Sequence, residues 1–105
     1  MGAILVISNL PDMPSAEKLA NRLVAEQAAA CVNILSTCRS VYQWQGKLES
    51  ATEVPVLIKT TESGYKKVED IIRAEHPYEL PEIIAVPITA GLPEYLAWIK
   101  AETKF

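Results

Sequence analysis

The sequence predicts an α+β fold of the ferredoxin-like class, a β-α-β-β-α-β unit with long β-hairpin arms and an extra C-terminal helix. Three observations predict it. The chain opens on a strand-length apolar run at Ala3 to Ile7, and apolar residues then recur at helical spacing in two separate stretches. Between those stretches lies a ribbon, from about Cys38 to Thr60, whose two arms are longer than a small sheet needs.

Ala3 to Ile7 is unbroken by polar residues and is followed by Ser8-Asn9 and the Leu10-Pro11-Asp12 turn, so it reads as a central strand covered on both faces. Pro14 stands where a first helical turn tolerates proline, and Ala16, Leu19, Ala20, Leu23 and Val24 then follow the i, i+3, i+4 spacing of an amphipathic helix. Cys31 to Leu35 carries β-formers at most positions and gives a second strand. Ser40 to Trp44 alternates polar with large residues, and Gln45-Gly46-Lys47 closes it as a hairpin turn with Gly46 at positive φ. Glu53 to Lys59 is the returning strand. Pro55 cannot donate to a ladder, which predicts an edge or a bulge at that point. A ribbon that outruns its own sheet pairs with something else, and the predicted partner is a neighbouring subunit.

Ser63 is the expected N-cap of a second helix whose apolar face is Tyr65, Val68, Ile71 and Ile72. That helix must stop at His76, because Pro77 disfavours the helical conformation in the residue before it, and the imidazole is expected to point away from the core. The stretch Glu75 to Pro87 holds the single histidine and three of the seven prolines, a stiff connector that keeps an imidazole, a phenol and carboxylates together. Glu82 to Thr89 reads as a buried strand with an edge signal at Pro87. Ala90-Gly91 turns the chain, and Pro93 starts a last helix with Leu92, Tyr95, Leu96 and Ile99 on its apolar side and Trp98 beside them.

Length and composition bound the function. The 105 residues predict one domain spanning 1–105, and the 50% hydrophobic content is high enough to suggest that other copies of the chain cover part of the surface. A net charge of -3 with 10 basic residues, none in a run, argues against nucleic acid as a partner. Two cysteines, Cys31 and Cys38, lack C-x-x-C spacing and suit free thiols in a reducing cytosol. The apolar opening is too short to span a bilayer, and Val6 stands where a myristoylation signal needs Ser or Thr, so no membrane association is expected and the predicted location is cytoplasmic.

His76 is the single conventional base, and the chain has no G-x-S-x-G, Gly-rich phosphate loop or H-E-x-x-H. The reading is therefore a binding protein and not an enzyme. Imidazole and thiolate are ligands that copper and zinc prefer, which makes His76, Glu79 and Cys31 the candidate metal ligands if the fold brings them together. Each also has a plainer role: Cys31 as a small buried hydrophobe, His76 as a helix C-terminal cation, Glu79 and Glu82 as solvated charges. Tyr42 and Trp44 on the hairpin suit either packing or ligand stacking, and Lys59 at a strand end could close a cleft beside a carboxylate.

The segments Ala29-Ala30-Cys31-Val32-Asn33-Ile34, Ser40 to Lys47, Leu57-Ile58-Lys59-Thr60, His76-Pro77-Tyr78-Glu79-Leu80-Pro81-Glu82-Ile83 and Tyr95-Leu96-Ala97-Trp98-Ile99 resemble, in order and spacing, the signature blocks of the CutA family of divalent-cation tolerance proteins. The resemblance covers nearly the whole chain. It implies a ferredoxin-like homotrimer similar to the PII signalling proteins, with copper or another divalent metal as ligand. It also implies a cleft between subunits bordered by Cys31, Tyr42, Trp44, Lys59, His76, Tyr78, Glu79 and Glu82. The alternative it leaves open is a PII-like subunit that binds a small metabolite and reports to a protein partner. This chain departs from some members at Ser8, where they have cysteine, and at Glu75, where they have a second histidine; Pro55 and Cys38 are further departures.

Overall fold

The computed structural model describes residues 2–105. Its elements run β1 (Ala3–Leu10), α1 (Met13–Ala25), β2 (Cys31–Ile34), β3 (Cys38–Trp44), β4 (Lys47–Thr61), α2 (Tyr65–Glu75), β5 (Ile84–Pro87) and α3 (Pro93–Glu102). The strands form one antiparallel sheet in the order β2-β4-β1-β5, with β3 continuing the ribbon along β4. This is the ferredoxin-like α+β arrangement, with the motif's second strand divided into β2 and β3.

Alternation fixes the two faces of the sheet. Ile4, Val6 and Leu10 of β1 and Val54, Val56 and Ile58 of β4 are buried in one core with Ala16, Leu19 and Leu23 of α1 and Val68, Ile71 and Ile72 of α2. The opposite face carries Leu5 and Ile7, paired with Lys59 and Leu57 on one side and with Val86 and Ile84 on the other. Among the described residues nothing covers that face fully: Ile84 is 52% and Val86 43% exposed. The expectation that β1 is covered on both faces therefore holds on one face only, and β5 is an exposed edge strand, not a buried one.

Asp12 caps α1 by accepting the Ser15 backbone N–H at 2.8 Å, and that bond holds its carboxyl below the usual range. A depressed carboxylate stabilises the fold above its unfolded pKa and loses that contribution as pH falls through the folded value. Val24, placed on the apolar stripe by spacing, is exposed. The N-cap of α2 is Gly64, not Ser63; Gly64 packs so closely on Thr60 and Thr103 that a Cβ there would lie 2.7 and 2.9 Å from their side chains. On α3 the buried residue is Ile99, while Leu92, Tyr95 and Trp98 stay exposed.

The hairpin turn is formed by Gln45 and Gly46, both at positive φ (50° and 77°), which matches the right-handed twist of a two-residue hairpin. β4 is longer than predicted and runs unbroken through Pro55, which pairs with Asn9 in the middle of the sheet. Two features make the proline tolerable. Its carbonyl accepts the Leu35 N–H at 3.0 Å, so its missing donor also faces the β2–β3 side. There the ladder is already interrupted: Ile34 pairs with Val56 and Cys38 with Glu53, so three residues, 35–37, face two, 54–55. The bulge that Pro55 predicts is present, with the extra residue on the partner strand.

Ser8 is fully buried in the core and its hydroxyl is the one buried side-chain oxygen or nitrogen without a hydrogen-bond partner among the described residues. Ser8→Ala is therefore expected to raise unfolding stability by about 1 kcal/mol in urea denaturation, since it removes a desolvated polar group without leaving a partner unpaired.

Candidate functional site

The segment after α2 is anchored by His76. The proline at 77 ends the helix and sets His76 in an extended conformation (ψ 131°), which turns the ring back against β1. The ring is 7% exposed, not directed away from the core as expected. Its Nδ1 accepts the Tyr78 backbone N–H at 3.2 Å, which places the proton on Nε2, and Nε2 donates to the Asn9 carbonyl at 2.6 Å. Both nitrogens of a neutral imidazole are thus engaged. The Tyr78 ring stacks at a tilt on it, with centroids 4.6 Å apart.

This anchor sets one wall of an open groove of ≈ 900 Å³ that runs along the hairpin from Glu53 at its root to Trp44 beside its turn. Tyr78, Glu79, Pro81 and Glu82 form that wall, and Tyr42, Trp44 and Glu53 of the ribbon form the other, with Asn9 between them. Asn9 Nδ2 donates to Glu82 Oε1 at 2.9 Å and so fixes that carboxylate at the rim. Burial first, then the nearby Glu53 carboxylate, hold the Tyr78 phenol above its ordinary value of 10.0. Three carboxylates line the groove, and no lysine or arginine does.

The predicted site residues divide between two places. Tyr42, Trp44, Tyr78, Glu79 and Glu82 line the groove, and His76 lies beneath it. Lys59 and Cys31 pair with each other four residues further along β4 than Pro55 and Asn9, about 13 Å away at the strand rise. There Lys59 Nζ donates to the Tyr95 hydroxyl at 3.2 Å and sits 5.4 Å from that ring's centre. Cys31 Sγ is 4.0 Å from Asn33 Oδ1. The structure does not bring His76, Glu79 and Cys31 together, and among the described residues no three His, Cys, Asp or Glu side chains are grouped to hold a metal. Sequence reasoning missed Asn9 and Glu53. Glu53 carried a faint signal as a charge opening an apolar strand; Asn9 carried none, because its partners lie 67 and 73 residues away.

Comparison with known proteins agrees with the fold. The chain is 42% identical over 102 residues to the chloroplastic protein CutA of Arabidopsis thaliana, covering 97% of this chain and 56% of that protein, so it spans little more than half of that relative. It is 38% identical over 102 residues to the divalent-cation tolerance protein CutA of Salmonella newport, covering 97% of this chain and 89% of that one. The crystal structure of CutA from Xylella fastidiosa superposes with a TM-score of 0.95 at 45% identity, over 99% of this chain and 100% of that one. The family described as CutA1 divalent ion tolerance protein matches residues 4–102, from the first core residue of β1 to the end of α3, and the chain belongs to that family.

Proposed function

We propose that the chain is a non-enzymatic, cytoplasmic binding protein that works as a homotrimer and takes a divalent cation in the groove, with a neighbouring copy completing the site. The observation that carries this reading is the charge of the groove, where Glu53, Glu79 and Glu82 meet no basic side chain. The uncovered apolar face of β1 and β5 and a ribbon that stretches the molecule to 44 Å against 25 and 23 Å support assembly. Among the described residues no helix is long and apolar enough to cross a membrane.

Within one chain, copper held by His76 and Cys31 does not fit, because both imidazole nitrogens are occupied and the thiol sits on a distant rung. The donors that do face the groove are oxygens, which suit hard cations that keep part of their water and need one or two carboxylates. The PII-like alternative, a small metabolite reported to a protein partner, is disfavoured where that metabolite is anionic, because it would meet three carboxylates and no cation. Equilibrium dialysis is expected to show Mn²⁺ uptake by wild type that is lost in the Glu79→Gln/Glu82→Gln variant, and copper uptake indifferent to Cys31→Ser. Copper uptake that falls with the thiol would overturn the oxygen-donor reading, and sedimentation of wild type as a single 11.6 kDa chain would overturn the trimer.

A further inference from the structure

The ribbon of β3 and β4 has two sides, and the groove uses one of them. Register sets Tyr42 and Trp44 opposite Glu49 and Lys47 on the groove side, and alternation turns Arg39, Val41 and Gln43 to the other side with Leu48, Ser50 and Thr52. On that outer side Val41, which also borders the groove, is 67% exposed and Leu48 is 72% exposed, more than either groove-side ring. Arg39 reaches across the strands to donate to Ser50 Oγ at 3.2 Å, and among the described residues it meets no carboxylate. A two-stranded ribbon with apolar side chains in water on both sides is marginal by itself, so cover must come from elsewhere.

The two sides complement each other. The groove is aromatic and acidic, while the outer side is aliphatic with an unpaired guanidinium. Surfaces on opposite sides of one ribbon cannot meet within a chain; they meet between copies, head to tail, and a head-to-tail contact whose rotation closes makes a ring. We propose that the outer side of one copy's ribbon, at Arg39, Val41 and Leu48, seats in the groove of the next copy. The guanidinium donates to the carboxylates of Glu79 and Glu82, and the aliphatic side chains pack on Tyr42 and Trp44. The inference rests on the assembly and the cation site proposed above, and it names the surface that completes the groove. One guanidinium against three carboxylates leaves two negative charges, the complement of one divalent cation. Ile84 lines the groove and also belongs to the sheet face opposite the core, so the contact runs on into that face.

The test is sedimentation velocity over a concentration series, with far-UV circular dichroism to follow the fold and Mn²⁺ dialysis as a separate measurement. Arg39→Glu sets a fourth carboxylate against the groove and is expected to raise the concentration at which the trimer forms by at least about 10-fold. The triple variant Arg39→Glu/Glu79→Arg/Glu82→Arg exchanges the charges across the contact and is expected to restore assembly. Arg73→Glu, an exposed reversal on α2 away from the ribbon, is expected to assemble as wild type does. An Arg39→Glu protein that assembles like wild type, a triple variant that stays apart, or an equal loss in Arg73→Glu would each overturn the contact. A wild-type trimer that Arg39→Glu dissociates but that takes up no Mn²⁺ would support the contact and overturn the cation site. Wild type sedimenting as a single chain would overturn the contact and the assembly together.

Discussion

Sedimentation velocity of the Val86→Glu variant is expected to show a single 11.6 kDa chain at micromolar concentration, where wild type is expected to sediment as a trimer. Val86 pairs with Leu5 on the sheet face opposite the core of α1 and α2, and it lies outside the groove. Within one chain it is 43% exposed, so the charge costs the isolated fold little. Closing three copies over that face would desolvate three unpaired carboxylates, each costing several kcal/mol, on the order of the whole driving force of assembly. Val86→Ala is the companion variant: it trims apolar area without adding charge and is expected to remain trimeric. A Val86→Glu protein that still sediments as a trimer would show that this face is not the interface.

Replacing His76 by Ala is expected to lower stability by about 3 kcal/mol, combining a cavity under the Glu75–Ile84 segment with the loss of two hydrogen bonds. The Asn9 carbonyl and the Tyr78 amide are left without partners, and the groove wall that begins at Tyr78 loses its attachment to β1. His76→Asn separates the two effects, because its side-chain oxygen can still accept the Tyr78 N–H in an Asx turn while the reach to Asn9 is lost. About half the penalty should return, read as the difference in urea midpoint at unchanged slope. A histidine that served mainly as a metal ligand would give a different pattern, with stability in chelator near wild type for both variants.

Local rules made much of the fold legible before any coordinates. Pro14, the Gln45-Gly46 turn and Pro77 set backbone conformations from their own covalent geometry, so the start of α1, the hairpin and the end of α2 could be read from single residues. The periodicity of Val68, Ile71 and Ile72 likewise placed α2 on the core. What failed depends on partners far along the chain. Ile84 and Val86 have the composition of a buried strand, and they stay exposed because no element among the described residues packs over them. Cys31 and Glu79 are plausible co-ligands by residue type alone, but the register of β2 on β4 separates them, and register belongs to the pairing of strands rather than to either segment. The destination of the His76 ring followed the same logic: its capping position was local, its acceptor on Asn9 was not.

The three-on-two mismatch opposite Pro55 has a consequence for how this ribbon can vary. It sits between the body of the sheet and the hairpin, so the pairing of Cys38 to Trp44 with Lys47 to Glu53 is counted from the Gln45-Gly46 tip and not from the core. Residues inserted in matched pairs beside that tip would lengthen the arm by whole rungs while every existing side chain kept its side. Reach toward a neighbouring molecule could thus be adjusted in steps of about 3.4 Å per rung without disturbing a single helix contact.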